Sequence, residues 1–256
     1  MDHWFEPVAD HLGSAYLRYS FTKGTEAEVA FLLDELGIGA GSRVLDVGCG
    51  PGRHALALAA MDVTVVGVDV SATFVDLARS EAAARGLAER ATFVRADARA
   101  LDYDADFDAA FSLCQGAFGL LGGPASGAGQ PDDLAVLAGM ARALRPGGRL
   151  AVSAFSAYFM VRHLPDGAGG HEAPYGPAGG FDAASGTNHE VTEVLDPSGH
   201  GLEVDVWTTC FTPRELRLLA SAAGLGGAEV YSVTPGRYDR TPPNVSDEEF
   251  LLVATR

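Results

Sequence analysis

The sequence predicts an α/β chain: a mostly parallel sheet with helices on both faces. Three observations carry that reading. Within residues 43–54, the apolar, partly β-branched run Val44, Leu45, Val47 reads as a buried parallel strand. Gly48, Gly50 and Gly52 follow as a turn that a ligand can approach closely, and a small apolar helix opens after Arg53. A second strand-like run, residues 63–68, ends in Asp69 and precedes a helix capped by Ser71. Strand and helix patterns then keep alternating as far as Phe155.

Taken in order, residues 1–24 carry Trp4, Phe5, Tyr16, Tyr19 and Phe21 and read as a lid segment leading into the first core helix. Thr25 with Glu28 has the spacing of a capping box; Val29, Leu32, Leu33 and Leu36 share a face, and Gly37 stops the helix. The Ser71-capped helix turns Phe74, Leu77 and Ala78 inward and ends at Gly86. Residues 91–96 form the third strand, leading to Asp97, and residues 107–113 the fourth. A glycine-rich stretch gives way to a helix from Pro131-Asp132-Asp133, with Leu134, Leu137, Ala138, Ala141 and Leu144 inward. Pro146-Gly147-Gly148 turns the chain into a fifth strand over residues 149–155.

From Ser156 to about Thr187 the periodicity is lost among glycines and prolines, and a long loop of this kind in a compact domain is usually functional. Two strands follow, residues 190–195 and 202–208, in which Leu202, Val204 and Val206 alternate with Glu203, Asp205 and Trp207. Thr212 to Glu215 is a second capping box with proline at the first helical position, and its helix stops at Gly224. Residues 228–233 and 249–255 read as the last strands. The expected organisation is therefore a lid (1–24), a core (25–155), an acceptor-binding insertion (156–210) and the remainder of the core (211–256).

A glycine turn at a helix N-terminus favours a nucleotide-type ligand. The dinucleotide spacing G-x-G-x-x-G would need glycine at position 53, where the chain has Arg53. Asp46 would repel phosphates and suits an ammonium or another cation. Asp69, nineteen residues after Gly50, can accept hydrogen bonds from both ribose hydroxyls. A ribose, no diphosphate and a cationic end together describe S-adenosylmethionine.

With these residues in view, the chain resembles a class I (Rossmann-like) S-adenosylmethionine-dependent methyltransferase of the small-molecule branch. VLDVGCGPG is similar to the first motif of that family, VVGVDVS to the acidic second, VRADARAL to the third, FDAAFSLCQGAFG to the fourth, and LRPGGRLAVSAF to the turn before the fifth strand. The resemblance implies a seven-stranded sheet, helices on both faces and an antiparallel last strand. It also implies a cofactor site made by Asp46, Gly48, Gly50, Gly52, His54, Asp69, Val70, Asp97, Ala98, Cys114 and Gln115; Tyr19 and Lys23 are expected to reach it from the lid, because their segment leads directly into the first core helix. The loop Cys114 to Gly119 would then face the methyl group. For the acceptor, the expected contacts are Phe118, Tyr158, Glu172, Tyr175 and Trp207. A hydroxyl acceptor would need a general base, for which His171, His163 and Glu172 are candidates, with Tyr16 or Tyr19 as an orienter. The reading leaves N- and O-methylation open. Its rivals are an NAD-type oxidoreductase on the same fold and a catalytically silent binder of S-adenosylmethionine.

Composition narrows the partners. The net charge is −16, with Lys23 the only lysine among 18 basic residues and no basic cluster, the reverse of a nucleic-acid footprint. The expected partner is a small-molecule methyl acceptor, with no nucleic acid and no membrane; an oligomer is left open. No run of 18 apolar residues and no leader pattern is visible, and the three cysteines are widely spaced, which together suit a cytoplasmic protein with reduced thiols. No metal is expected, because the seven histidines lack ligand spacing.

Overall fold

The computed structural model describes residues 3–114, 116–120, 130–163 and 179–256. Five parallel strands form its centre: Arg43–Val47 (β1), Thr64–Asp69 (β2), Ala91–Arg95 (β3), Phe107–Ser112 (β4) and Leu144–Ser156 (β5), ordered β3-β2-β1-β4-β5. Val44, Leu45 and Val47 are wholly buried, as expected of a strand covered on both faces. The order reverses between β1 and β4, and at such a switch point the carboxyl ends of the strands leave a crevice.

Three antiparallel strands follow, Gly179–Asp182 (β6), Thr187–Leu195 (β7) and Gly201–Phe211 (β8). The chain then returns through Gly226–Val233 (β9) and Glu249–Thr255 (β10). β10 lies antiparallel between β5 and β9, with Glu249 opposite Phe155. β1 to β5, β9 and β10 make up the seven expected strands. β8 adds to them by pairing its last residues, Cys210 and Phe211, with Phe155 and Ser156 of β5. The described sheet therefore has ten strands rather than seven. β6 escapes the sequence pattern because Gly-Gly-Phe-Asp is too short to show a period.

Helices Thr25–Leu36 (α2), Arg53–Ala59 (α3) and Ala72–Ala84 (α4) cover one sheet face, over Val44, Val65, Phe111 and Leu251. Helices Gln130–Ala143 (α5) and Pro213–Ala222 (α7) cover the other, over Leu45, Phe107, Leu150 and Phe250. Val136, Leu137 and Met140 are the buried face of α5; Leu134 is only half-buried, and Leu144 opens β5 instead of closing the helix. The short helix Ala157–His163 (α6), which the sequence left as loop, follows β5 directly.

The first helix, Phe5–Leu12 (α1), lies not on the parallel strands but on the β7–β8 end of the sheet. Its Val8 and Leu12 pack with Phe74 of α4 and with Val194 and Val204 of the β7–β8 hairpin. Two 3₁₀ turns, Gly13–Arg18 and Ser20–Thr22, carry the chain on to α2. The two capping boxes part company. Thr212 accepts from the Glu215 N–H while Glu215 accepts from the Thr212 N–H, a reciprocal cap. Thr25 instead donates to the Thr22 carbonyl, and Glu28 is fully buried and turned into the molecule. Matching spacing does not make a cap when the acid has a stronger partner elsewhere.

Candidate active site

The glycine turn after β1 is fastened to its neighbours from below. Asp69, at the end of β2, accepts the Gly50 N–H and the Ser71 N–H, each at 2.8 Å. Burial pushes its carboxyl up, these two donors oppose, and the result is about 6. Gly48 stacks so tightly on Gly116 that a Cβ at either position would meet the other's backbone at 2.1–2.2 Å. Gly52, at φ +82°, is also fixed by packing: a Cβ there would meet the Phe93 ring at 2.9 Å and Ala78 at 3.0 Å, so the glycine lets α3 seat against β3 and α4.

Asp46 is 2% exposed, and one carboxyl oxygen has no hydrogen-bond partner among the described residues. Burial raises it to about 8 against the opposing charge of Arg53. The charge of Arg53 acts on Glu28 as well. Glu28 receives Arg53 at 2.5 Å and His54 at 2.8 Å and accepts the Gly236 N–H at 3.0 Å. Its burial would raise it, but the His54 hydrogen bond and the Arg53 charge outweigh that and hold it at about 2. Arg53 also donates to the Cys114 sulfur at 2.8 Å, so a single guanidinium ties α2 to the end of β4. Cys114 stands at φ +53°, and burial lifts its thiol to about 12.

A cleft opens between the turn and the third strand. Val68, Val70, Ala96, Ala98 and Ala117 give it flat apolar walls, and Asp69 and Asp97 stand at its polar side. Asp97 is held below the usual carboxylate range by hydrogen bonds from Arg99, the shorter at 2.6 Å. His3, Phe5 and Leu120 close the outer side, leaving a cavity of about 30 Å³. Phe5 and Leu120 also border a second cavity of about 580 Å³ beyond the ends of β4, β5 and β10. Trp4, Phe5, Tyr16, Phe21 and Phe155 supply its aromatic walls, and Glu190, Glu248 and Glu249 its carboxylates. Tyr16 lies over the turn, 3.8 Å from where a Gly50 Cβ would be, and burial pushes its phenol well above the ordinary value.

Several expected contacts lie elsewhere. His54 is buried against Glu28 and edge-on to Phe111, away from both cavities. Lys23 is exposed, beside Pro235 and Gly236. Tyr19 accepts the Leu195 N–H at 3.3 Å with its hydroxyl and borders a groove on the outside of the hairpin. Phe118 is a core residue, stacked on Phe211 with centroids 4.9 Å apart. Trp207 packs on Trp4 and His189, while its neighbours Val206 and Thr208 border the large cavity. Tyr158 is 41% exposed against Phe250. His163 is exposed, with its Nδ1 3.0 Å from the Phe159 carbonyl of its own helix, and borders neither cavity. Gln115, His171, Glu172 and Tyr175 lie outside the described residues. Sequence reasoning missed Glu190, Glu248 and Glu249, which read as solvated strand charges until the sheet order brings them to one cavity.

A doubly wound sheet with a buried acid beside a glycine turn at its switch point defines a Rossmann-like α/β protein. Comparison with known proteins narrows the class. Residues 44–148 match the model of a methyltransferase domain. The chain is 40% identical over 124 residues to the methyltransferase GfsG of Streptomyces halstedii, covering 48% of this chain and 41% of that protein. It is 38% identical over 144 residues to the 27-O-demethylrifamycin SV methyltransferase of Amycolatopsis mediterranei, covering 56% of this chain and 47% of that one. In these two cases the match spans about half or less of the relative's length. With the cypemycin N-terminal methyltransferase of a Streptomyces species the 30% identity runs over 239 residues, 84% of both chains. The chain belongs to the S-adenosylmethionine-dependent methyltransferase family. Among solved structures, the CcbJ methyltransferase of Streptomyces caelestis shares the fold, at TM-score 0.76 and 22% identity over 99% of this chain and 98% of that one.

The residues present suit that cofactor. The alanine and valine walls fit a flat base, Asp69 offers acceptors to ribose hydroxyls, and the buried Asp46 has an acceptor to spare near the turn. No helix among the described residues is long and apolar enough to cross a membrane.

Proposed function

We propose that the chain transfers the methyl group of S-adenosylmethionine to a nitrogen or oxygen atom of a small molecule held in the 580 Å³ cavity. One observation carries the reading: the narrow cleft beside Asp69 and the large aromatic cavity share Phe5 and Leu120 as a common border. A cofactor held on the first would present its reactive end to the second. When bound, S-adenosylmethionine supplies a carbon already activated by a sulfonium.

What remains for the chain is to hold, orient and exclude water. Asp69 and Asp97 hold the nucleoside end, and the Gly48–Gly50 turn passes beneath it. Asp46 and Tyr16 flank the cationic end, where an aromatic face and a carboxylate both favour positive charge. Arg53 fixes Cys114 at the cavity's border, so the end of β4 keeps one position. The residues of 156–210 serve as the acceptor side, with β7 and β8 supplying Glu190, Val206 and Thr208. The relatives named above act, by their names, on 27-O-demethylrifamycin SV and on the N-terminus of cypemycin, which supports an acceptor outside the nucleic acids.

Turnover of S-adenosylmethionine against pooled amines, phenols and hydroxylated metabolites, followed by mass spectrometry, tests the proposal. One methyl added to a pool member, with S-adenosylhomocysteine formed in equal amount, is the expected result. Tight cofactor binding with no methylated product would favour the silent binder.

A further inference from the structure

Resting on that reading, we propose that the methyl acceptor is a basic amine, and that Glu249 holds its nitrogen and takes its proton. The large cavity carries three carboxylates, and among the described residues that border it there is no lysine, arginine or histidine. Its walls are aromatic, Phe5, Tyr16 and Phe155 among them, and ring faces attract a cation more strongly than a neutral alcohol. Charge and aromatic lining therefore select the same ligand independently.

The carboxylates are placed by the sheet. Glu248 accepts the Ser156 N–H on its backbone carbonyl at 2.8 Å, and Glu249 pairs with Phe155, which locks both to the carboxyl end of β5. Glu249 is 4% exposed, while Glu190 and Glu248 are exposed. A charge beside a buried carboxylate is far less screened than one beside an exposed pair. Glu249 also acts electrostatically on Cys114, at the end of β4 where the methyl group is expected. Glu190 faces the same space from β7. The cofactor's own cation is served from the other side, by Asp46 near the end of β1.

The step balances as follows. An ammonium drawn in by the three acids gives one proton to the Glu249 carboxylate, which leaves the lone pair on nitrogen. A nitrogen–carbon bond forms to the methyl group as the carbon–sulfur bond breaks, and that pair leaves on sulfur. The products are a methylated ammonium, neutral S-adenosylhomocysteine and the proton on Glu249, which passes to solvent.

Binding to protein saturated with S-adenosylhomocysteine tests the proposal without requiring turnover. The probes are matched trios on one skeleton, an amine, an alcohol and a carboxylate, with tyramine, tyrosol and 4-hydroxyphenylacetate as one trio. The amines should bind about tenfold or more tighter than their partners. Glu249→Gln should lose most of that preference while keeping its affinity for S-adenosylhomocysteine, and Glu249→Asp should restore part of it. If Glu249→Gln does not fold, Glu190→Gln gives the second reading, a smaller loss of the same preference. Equal binding across the trios, a preference for alcohol or carboxylate, or no binding by the amines would overturn the proposal. Retained affinity for S-adenosylhomocysteine in that case would leave the methyltransferase reading standing.

Discussion

Asp69 carries two duties at once, and its protonation separates them. In the ligand-free protein its carboxyl sits at about 6, so it is charged at neutral pH and largely neutral at pH 5. A neutral carboxyl offers a ribose fewer acceptors, so affinity for S-adenosylhomocysteine should weaken as pH falls through about 6. Calorimetry at pH 5 and pH 7.5 checks this, and a flat profile would remove Asp69 from the ribose. The same raised value acts oppositely on folding. Asp69, Asp133 at about 7 and Asp46 at about 8 bind protons more tightly folded than unfolded. The stability they contribute is present below about pH 4 and is lost as pH rises through 6 to 8. Glu28, at about 2, contributes stability above about pH 4.5 that is lost towards pH 2. On these four groups the cofactor-free protein should melt highest between about pH 3 and 4 and lose stability as pH rises towards 8, a trend that a calorimetric scan across pH 2 to 8 would reveal.

At the scale of elements, spacing identified the turn but not which glycine does what. Gly52→Ala puts a Cβ 2.9 Å from Phe93 at a left-handed φ, so it should cost on the order of 1–3 kcal/mol of stability. Its affinity for S-adenosylhomocysteine should change little, because the clash is with packing. Chemical denaturation and calorimetry on the same variant decide between packing and binding. The sequence made Asp69, Asp97 and the turn legible because their roles depend on local order along β1 to β3. It could not place Glu249, which reaches the site only because β10 runs antiparallel beside β5, Glu249 opposite Phe155. Lys23 and Tyr19 were assigned from nearness in sequence to the first core helix, and two 3₁₀ turns carry them elsewhere. His54 and Glu28 each follow a helical pattern, and neither pattern tells that they are bonded to one another.

Across the whole molecule, the entry to α1 is the part that ties the two cavities together, through His3, Trp4 and Phe5. A volume of about 30 Å³ has room for a water molecule or two and not for an adenine, so His3, Phe5 or Leu120 must give way when cofactor enters. The Trp4 indole donates to the Leu120 carbonyl at 3.1 Å and meets Trp207 edge-on, so its emission reports on that movement. Saturating S-adenosylhomocysteine should shift tryptophan fluorescence, and Trp4→Phe should abolish most of the shift. Unchanged emission at saturation would mean that the cofactor enters without moving this segment.

The central claim is that the cleft beside Asp69 is where this chain holds S-adenosylmethionine. Titration of S-adenosylhomocysteine into the parent protein and into Asp69→Ala tests it most directly. Loss of a charge-assisted hydrogen bond is worth about 1.5–3 kcal/mol, so the parent should bind one equivalent and the variant roughly 10- to 100-fold more weakly. A folded Asp69→Ala protein that binds as tightly as the parent would contradict the claim.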